Sequence, residues 1–301
     1  MKRIGLLIIL LVLTACSPKP TYTGISVMAP KGAPAIALIP LIKGDLDQVE
    51  LIDGTDLLSA ELINGDADMV IAPINLGALL IKNNNTKYRL YGIVTWGNLF
   101  VVAEKDMIIT ANHPMAIFGL QSVPGLIFNK VKSTLDYTVS LNNFNSVADV
   151  LGQLMAKNYR IGLLAEPLVS AAIAGAKDNG LNLEVISDLQ VQYKAVTGYD
   201  NYPQAAIFVK SDADEATLKQ VKYRIEDMKK YTSDASKSIT NLLADIDAIT
   251  PERLGIPSST IIALAWHQMH VDVQLAKDYK TEIEAFLALI NLSNIEGLYQ
   301  E

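Results

Sequence analysis

The chain has 301 residues, of which 50% are hydrophobic and 19% charged, with a formal net charge of −7 and one cysteine. That length points to one large or two medium domains, and the apolar content excludes a disordered chain. The acidic balance, with no basic stripe, argues against nucleic-acid binding, and a single cysteine excludes an intramolecular disulfide framework and a Cys-rich zinc site.

The chain opens as an export signal does. Lys2 and Arg3 form a basic start, and Gly5 to Leu13 is an apolar run too short to span a bilayer. Leu13, Thr14, Ala15 and Cys16 follow, and this ending resembles the bacterial lipobox, in which the cysteine is lipidated and becomes the first mature residue. Ser17 to Thr23 have the composition of a tether. A signal peptide over 1–15 and a lipidated tether over 16–24 are therefore expected. Lipid on Cys16 would be the only membrane contact, because no later segment is apolar for long enough to cross a bilayer.

From Ile25 short apolar runs alternate with amphipathic stretches. Strands are expected at Ile25–Met28, Val49–Ile52, Met69–Ala72, Leu90–Val94, Met115–Phe118, Thr138–Leu141, Ile161–Leu164 and Leu183–Ser187. Most are apolar on both faces, as buried parallel strands are. The clearest helix is Ser146–Lys157. Ser146 and Asp149 make a capping pair, and Val147, Val150, Leu151, Leu154 and Met155 share one face. This alternation predicts an α/β fold with parallel sheets.

Two extended apolar runs, Asn98–Glu104 and Pro203–Lys210, break the alternation and bracket about four strand–helix units. They read as crossings between two lobes. The first lobe takes residues 25–98 and 205–301, the second 99–204, and paired crossings suit a hinge. Beyond Lys210 the pattern turns helical, over Asp212–Lys230, Ser236–Ile246 and Val273–Ile290, with no further strong strand expected.

No nucleotide-binding glycine motif, nucleophile elbow, H-E-x-x-H or C-x-x-C occurs, so the sequence calls for no catalytic residue, cofactor or metal. His267 and His270 sit three apart, which on a helix puts them on one face without a third ligand nearby. Asp66 and Asp68 read as a solvated turn. More informative is a repeated strand ending: Ala29-Pro30, Pro73, and Ala165-Glu166-Pro167 each follow an apolar run. Proline cannot extend a central strand but suits the first turn of a helix. Each ending marks a carboxyl edge of the kind where open α/β sheets bind ligands. Small residues open the helices there, and Trp96, Tyr199 and Tyr202 fall at the inferred lobe junctions. They are candidates for an aromatic wall, although each taken alone suits a core position better.

Taken together these segments resemble the solute-binding lipoproteins of bacterial ABC importers, of the nitrate/sulfonate/taurine and thiamine-precursor type. The resemblance rests on the lipobox, Met28–Pro34, Gly65–Asn75, Thr95–Asn98, Gln121–Gly125 and Ala165–Pro167. It implies a two-lobed type II periplasmic-binding fold with two mixed sheets joined by two crossing strands. A monomer would capture a small-molecule solute between the lobes and pass it to an ABC permease and its ATPase, at the outer face of the cytoplasmic membrane or in the periplasm. Ligand contacts implied by position are Gly32, Ala33, Asn75, Trp96, Asn98, Ser122, Val123, Pro124 and Gly125, with Glu166, Tyr199 and Tyr202 added at the remaining edges. Only Lys31 stands near an inferred edge, with no Arg, which favours a larger organic solute over a simple anion. The alternative is an enzyme on the same fold, of menaquinone- or thiamine-pathway type; such enzymes work on intracellular metabolites and carry no lipobox.

Overall fold

The computed structural model describes residues 23–300; the signal segment, Cys16 and all of the tether before Thr23 lie outside the described residues. Among the described residues eleven strands form two sheets. The strands are β1 (Ser26–Pro30), β2 (Gln48–Ile52), β3 (Met69–Pro73), β4 (Tyr88–Trp96), β5 (Leu99–Glu104), β6 (His113–Phe118), β7 (Val139–Phe144), β8 (Ile161–Ala165), β9 (Leu183–Asp188), β10 (Pro203–Lys210) and β11 (Val271–Leu275). One sheet has the order β11-β4-β10-β3-β1-β2 and the other β7-β6-β8-β5-β9.

Pairing is parallel for β1 with β2 and β3, and for β6 with β7 and β8. Both strands that follow a crossing run the other way: β5 is antiparallel to β8 and β9, and β10 to β3 and β4. The connection explains this. Only Gly97 and Asn98 separate β4 from β5, so β5 must start at the edge facing the first sheet, where its antiparallel neighbour β8 ends. The return through residues 198–202 imposes the same condition on β10. The mixed α/β architecture is thus the expected one.

Position in the sheet sets the burial pattern. Central β3 and β8 are buried at four of five residues and carry apolar runs, whereas edge strands β2 and β7 alternate. Helices Ala33–Ala37, Ile39–Lys43, Glu215–Lys237 and Ser259–Met269 close one face of the first sheet through Ile36, Ile39, Ile225, Met228 and Trp266. A second apolar cluster is continuous between the sheets, joining Ile93, Trp96 and Phe208 to Leu99, Val101, Met115 and Leu163. Helix Val147–Met155 begins as expected: the Asp149 amide donates to Ser146 Oγ at 3.1 Å, and the Ser146 amide donates to the Asp149 carboxylate at 3.0 Å.

The carboxyl-terminal third departs from expectation. Residues Val273–Ile290 do not form one helix. Val271–Leu275 is β11, paired with β4, and the helix begins at Lys280. The run Val-Asp-Val-Gln-Leu alternates with period two, and Val271 and Val273 point into the core. Ser236 belongs to the long helix Glu215–Lys237, and the next helix starts at Thr240. His267 and His270 do not share a helix face, because the helix ends at Met269 and His270 takes a left-handed φ of 46° at its cap.

Candidate functional site

The first crossing is built into the interior. Gly97 and Asn98 are both buried. The Gly97 amide donates to the Tyr202 carbonyl at 2.9 Å, and a Cβ on Gly97 would stand 2.4 Å from the Tyr202 ring. Gln190 Oε1 accepts from the Leu99 amide at 3.0 Å and from the Tyr202 hydroxyl at 2.9 Å, tying the two crossings together. Tyr202 is completely buried, with its ring 5.0 Å from Tyr193 and stacked at 6.2 Å on Phe286. Burial is the first reason its phenol is held well above the usual tyrosine range, with the charge of Asp188 adding to it. Tyr202 is thus a core residue and not part of an exposed wall.

Asn98 and Glu166 brace the same region. Asn98 Nδ2 donates to the Glu166 carbonyl at 3.2 Å, and the Glu166 amide returns a bond to the Asn98 carbonyl at 3.0 Å. That leaves Asn98 Oδ1 buried without a donor among the described residues, and Asn75 Oδ1 is in the same condition at the start of the helix after β3. The Glu166 carboxylate accepts from the Ser170 amide and hydroxyl at 3.0 and 2.9 Å. Burial pushes its pKa up, against those two bonds, which pull it down.

The remaining expected contacts are spoken for locally. Gly32 donates its amide to the Leu254 carbonyl, Ala33 is buried, and Lys31 pairs with Asp53 at 2.6 Å. Ser122 donates its hydroxyl to the Gly119 carbonyl, while Val123, Pro124 and Gly125 are interior, with Leu120 lying where a Gly125 Cβ would go. Asp68 is not a solvated turn residue: its carboxylate accepts from the Ser26 amide and hydroxyl at 2.8 and 2.9 Å.

Beside the crossings, at the carboxyl end of β4, lies a cavity of about 470 Å³. Of the expected residues, Trp96 and Tyr199 line it. Gly198, Asp200 and Asn201 of the return crossing join them. The rest of the wall comes from the carboxyl-terminal third: Ser236, Trp266, His267, His270, Val271, Asp272, Tyr279 and Glu282. Trp96 has both characters weighed from the sequence. It is 8% exposed and belongs to the core cluster, yet it borders the cavity, with its indole N–H on the Asp272 carbonyl at 3.0 Å. Its ring centroid is 5.0 Å from that of Tyr279. His270 Nδ1 faces the Gly97 carbonyl and also lies 3.3 Å from the Asn201 side-chain nitrogen. The sequence signal for this wall was the concentration of Trp, His, Tyr and acidic residues between 266 and 282, which a reading as continuous helix obscured.

No family model and no curated protein matches the chain significantly. Solved structures do. An ABC transporter structure from Parabacteroides distasonis superposes with a TM-score of 0.72 at 19% identity, covering 93% of this chain and 99% of that one. The ligand-binding component of an ABC-type import system from Staphylococcus aureus, solved with zinc bound, gives 0.69 at 12% identity, covering 93% and 96%. The periplasmic aliphatic sulphonate binding protein of Escherichia coli gives 0.65 at 10% identity, covering 92% and 91%. The chain has the periplasmic-binding-protein fold. Among the described residues no group of three or more His, Cys, Asp or Glu is placed to hold a metal ion.

Proposed function

We propose that the chain is the extracytoplasmic solute-binding component of an ABC importer. Residues 25–98 and 205–301 form one lobe and 99–204 the other. A small organic solute binds in the cavity beside the crossings, and the loaded protein delivers it to a membrane permease. The observation that carries this reading is a 470 Å³ cavity, of small-molecule size, at the connection between the two sheets of a periplasmic-binding-protein fold. Export and lipidation at Cys16 follow from the Leu13–Cys16 ending of the apolar run, and several acyl chains would hold the protein stably at the membrane.

Native mass spectrometry of the purified protein from residue 16 onward, with Cys16 replaced by Ser, tests the reading. A copurifying small molecule is expected, lost from a Trp266→Ala protein that remains folded. A solute retained unchanged by that variant would remove the cavity from the proposal.

A further inference from the structure

The cavity beside the crossings is walled by one kind of chemistry. Four aromatic side chains, Trp96, Tyr199, Trp266 and Tyr279, border it, together with the carboxylates of Asp200, Asp272 and Glu282, and no Lys or Arg is among its lining residues. Asp200 is a rim residue, exposed and paired with Lys194. The other two carry their charge uncompensated. Both Asp272 oxygens accept from the Gln274 amide nitrogen, at 3.0 and 2.9 Å, and that neutral donor orients the carboxylate without cancelling its charge. Neither Asp272 nor Glu282 has a salt-bridge partner among the described residues. The field of these groups is felt at Tyr279, whose phenol is raised first by burial and then by Asp272, Glu282 and Asp278. The basic groups in the wall are two imidazoles. His270 is committed to the Gly97 carbonyl, and His267 is exposed on the last turn of its helix.

Ring faces carry the negative part of the aromatic quadrupole and attract cations. Carboxylates held at a partly dry wall do the same more strongly than they would in water. An anion in this cavity would meet repulsion from both. We propose that the solute is an organic cation, a compact amine or quaternary ammonium group or a protonated heterocycle. It sits against the Trp96, Tyr199, Trp266 and Tyr279 rings with Asp272 and Glu282 as counter-charges. This assignment rests on the cavity being the solute site and adds the sign of the solute's charge.

The test is a tryptophan-fluorescence titration, repeated by calorimetry, of the protein from residue 16 onward with Cys16 replaced by Ser. The probes are benzyltrimethylammonium and, as the matched aromatic anion, benzenesulfonate, at constant ionic strength. The ammonium probe is expected to saturate and the sulfonate to bind at least about tenfold more weakly. Glu282→Gln and Asp272→Asn should each weaken the ammonium probe about three- to thirtyfold, with the urea midpoint of the empty protein unchanged for Glu282→Gln. Tighter binding of the sulfonate, absence of ammonium binding, or ammonium binding indifferent to Glu282→Gln overturns the assignment. Sulfonate binding abolished by Trp266→Ala would overturn the charge alone and leave the cavity as the solute site. A copurified solute unaffected by Trp266→Ala would overturn both.

Discussion

The two connections between the sheets differ in almost every physical respect. The first, Gly97–Asn98, is two residues long and buried, and its backbone and side chains are bonded to Tyr202, Glu166 and His270. The second, residues 198–202, is longer. Its Gly198 and Asp200 are exposed, and only Tyr202 at its end is fully buried. One connection therefore sets how the sheets are joined, and the other supplies wall to the cavity. A glycine is needed in the first because the Tyr202 ring occupies the space beside it. A glycine is needed in the second because Gly198 ends its helix in the left-handed region, at φ 81°.

Substitutions that separate these roles sharpen the contrast. The largest effect is expected at Tyr202→Ala, which empties a fully buried aromatic site and removes one of the two donors to Gln190 Oε1; chemical denaturation should show a loss of about 3–5 kcal/mol. Gly97→Ala follows, at about 1–3 kcal/mol, because the new Cβ meets an aromatic ring packed on both sides. A normal urea midpoint for Gly97→Ala would show that the first crossing yields more easily than its packing implies.

Glu166 gives a pH-dependent probe of the same region. Its carboxyl pKa is raised in the folded protein, so the native state holds this proton more tightly than the unfolded chain does. Stability is therefore lost as pH rises from the unfolded carboxyl range, about 4.3, through the native value, and the loss is constant above it. Glu166→Gln cannot ionise. The difference between variant and wild-type urea midpoints should change in the variant's favour across that window and level off; a difference independent of pH would contradict the burial effect.

The smallest effect is expected on the open connection. Asp200→Ser removes one partner of an exposed ion pair and should change stability by about 0.5 kcal/mol or less. A loss comparable to that of Gly97→Ala would erase the distinction between the connections.

Much of this architecture was legible in the chain. The strand–helix alternation, the capped helix at Ser146 and the apolar runs before Pro30, Pro73 and Pro167 depend on local spacing and turn chemistry, and these survive in any context. The strands that follow the two crossings, β5 and β10, were legible for the same reason, as apolar runs out of step with their neighbours. The strand Val271–Leu275 was less so. Its period-two pattern is five residues long and lies between helices that draw it into their own reading.

The site was only partly legible. Trp96 and Tyr199 were placed at it by their position at the crossings, but Tyr202, three residues from Tyr199, is core. Which of two nearby tyrosines faces a cavity depends on the register of β10 against β4 and on what Phe286 and Tyr193 pack against. Trp266, Asp272 and Glu282 reach the cavity because β11 pairs with β4, nearly two hundred residues away in sequence. Local pattern and hydrophobic period are properties of neighbouring residues, so the sequence by itself determined the fold class, the crossings and the signal-like start. The composition of a wall shared by β4, the return crossing and the last helices is a property of long-range pairing, and only the tertiary structure decided it.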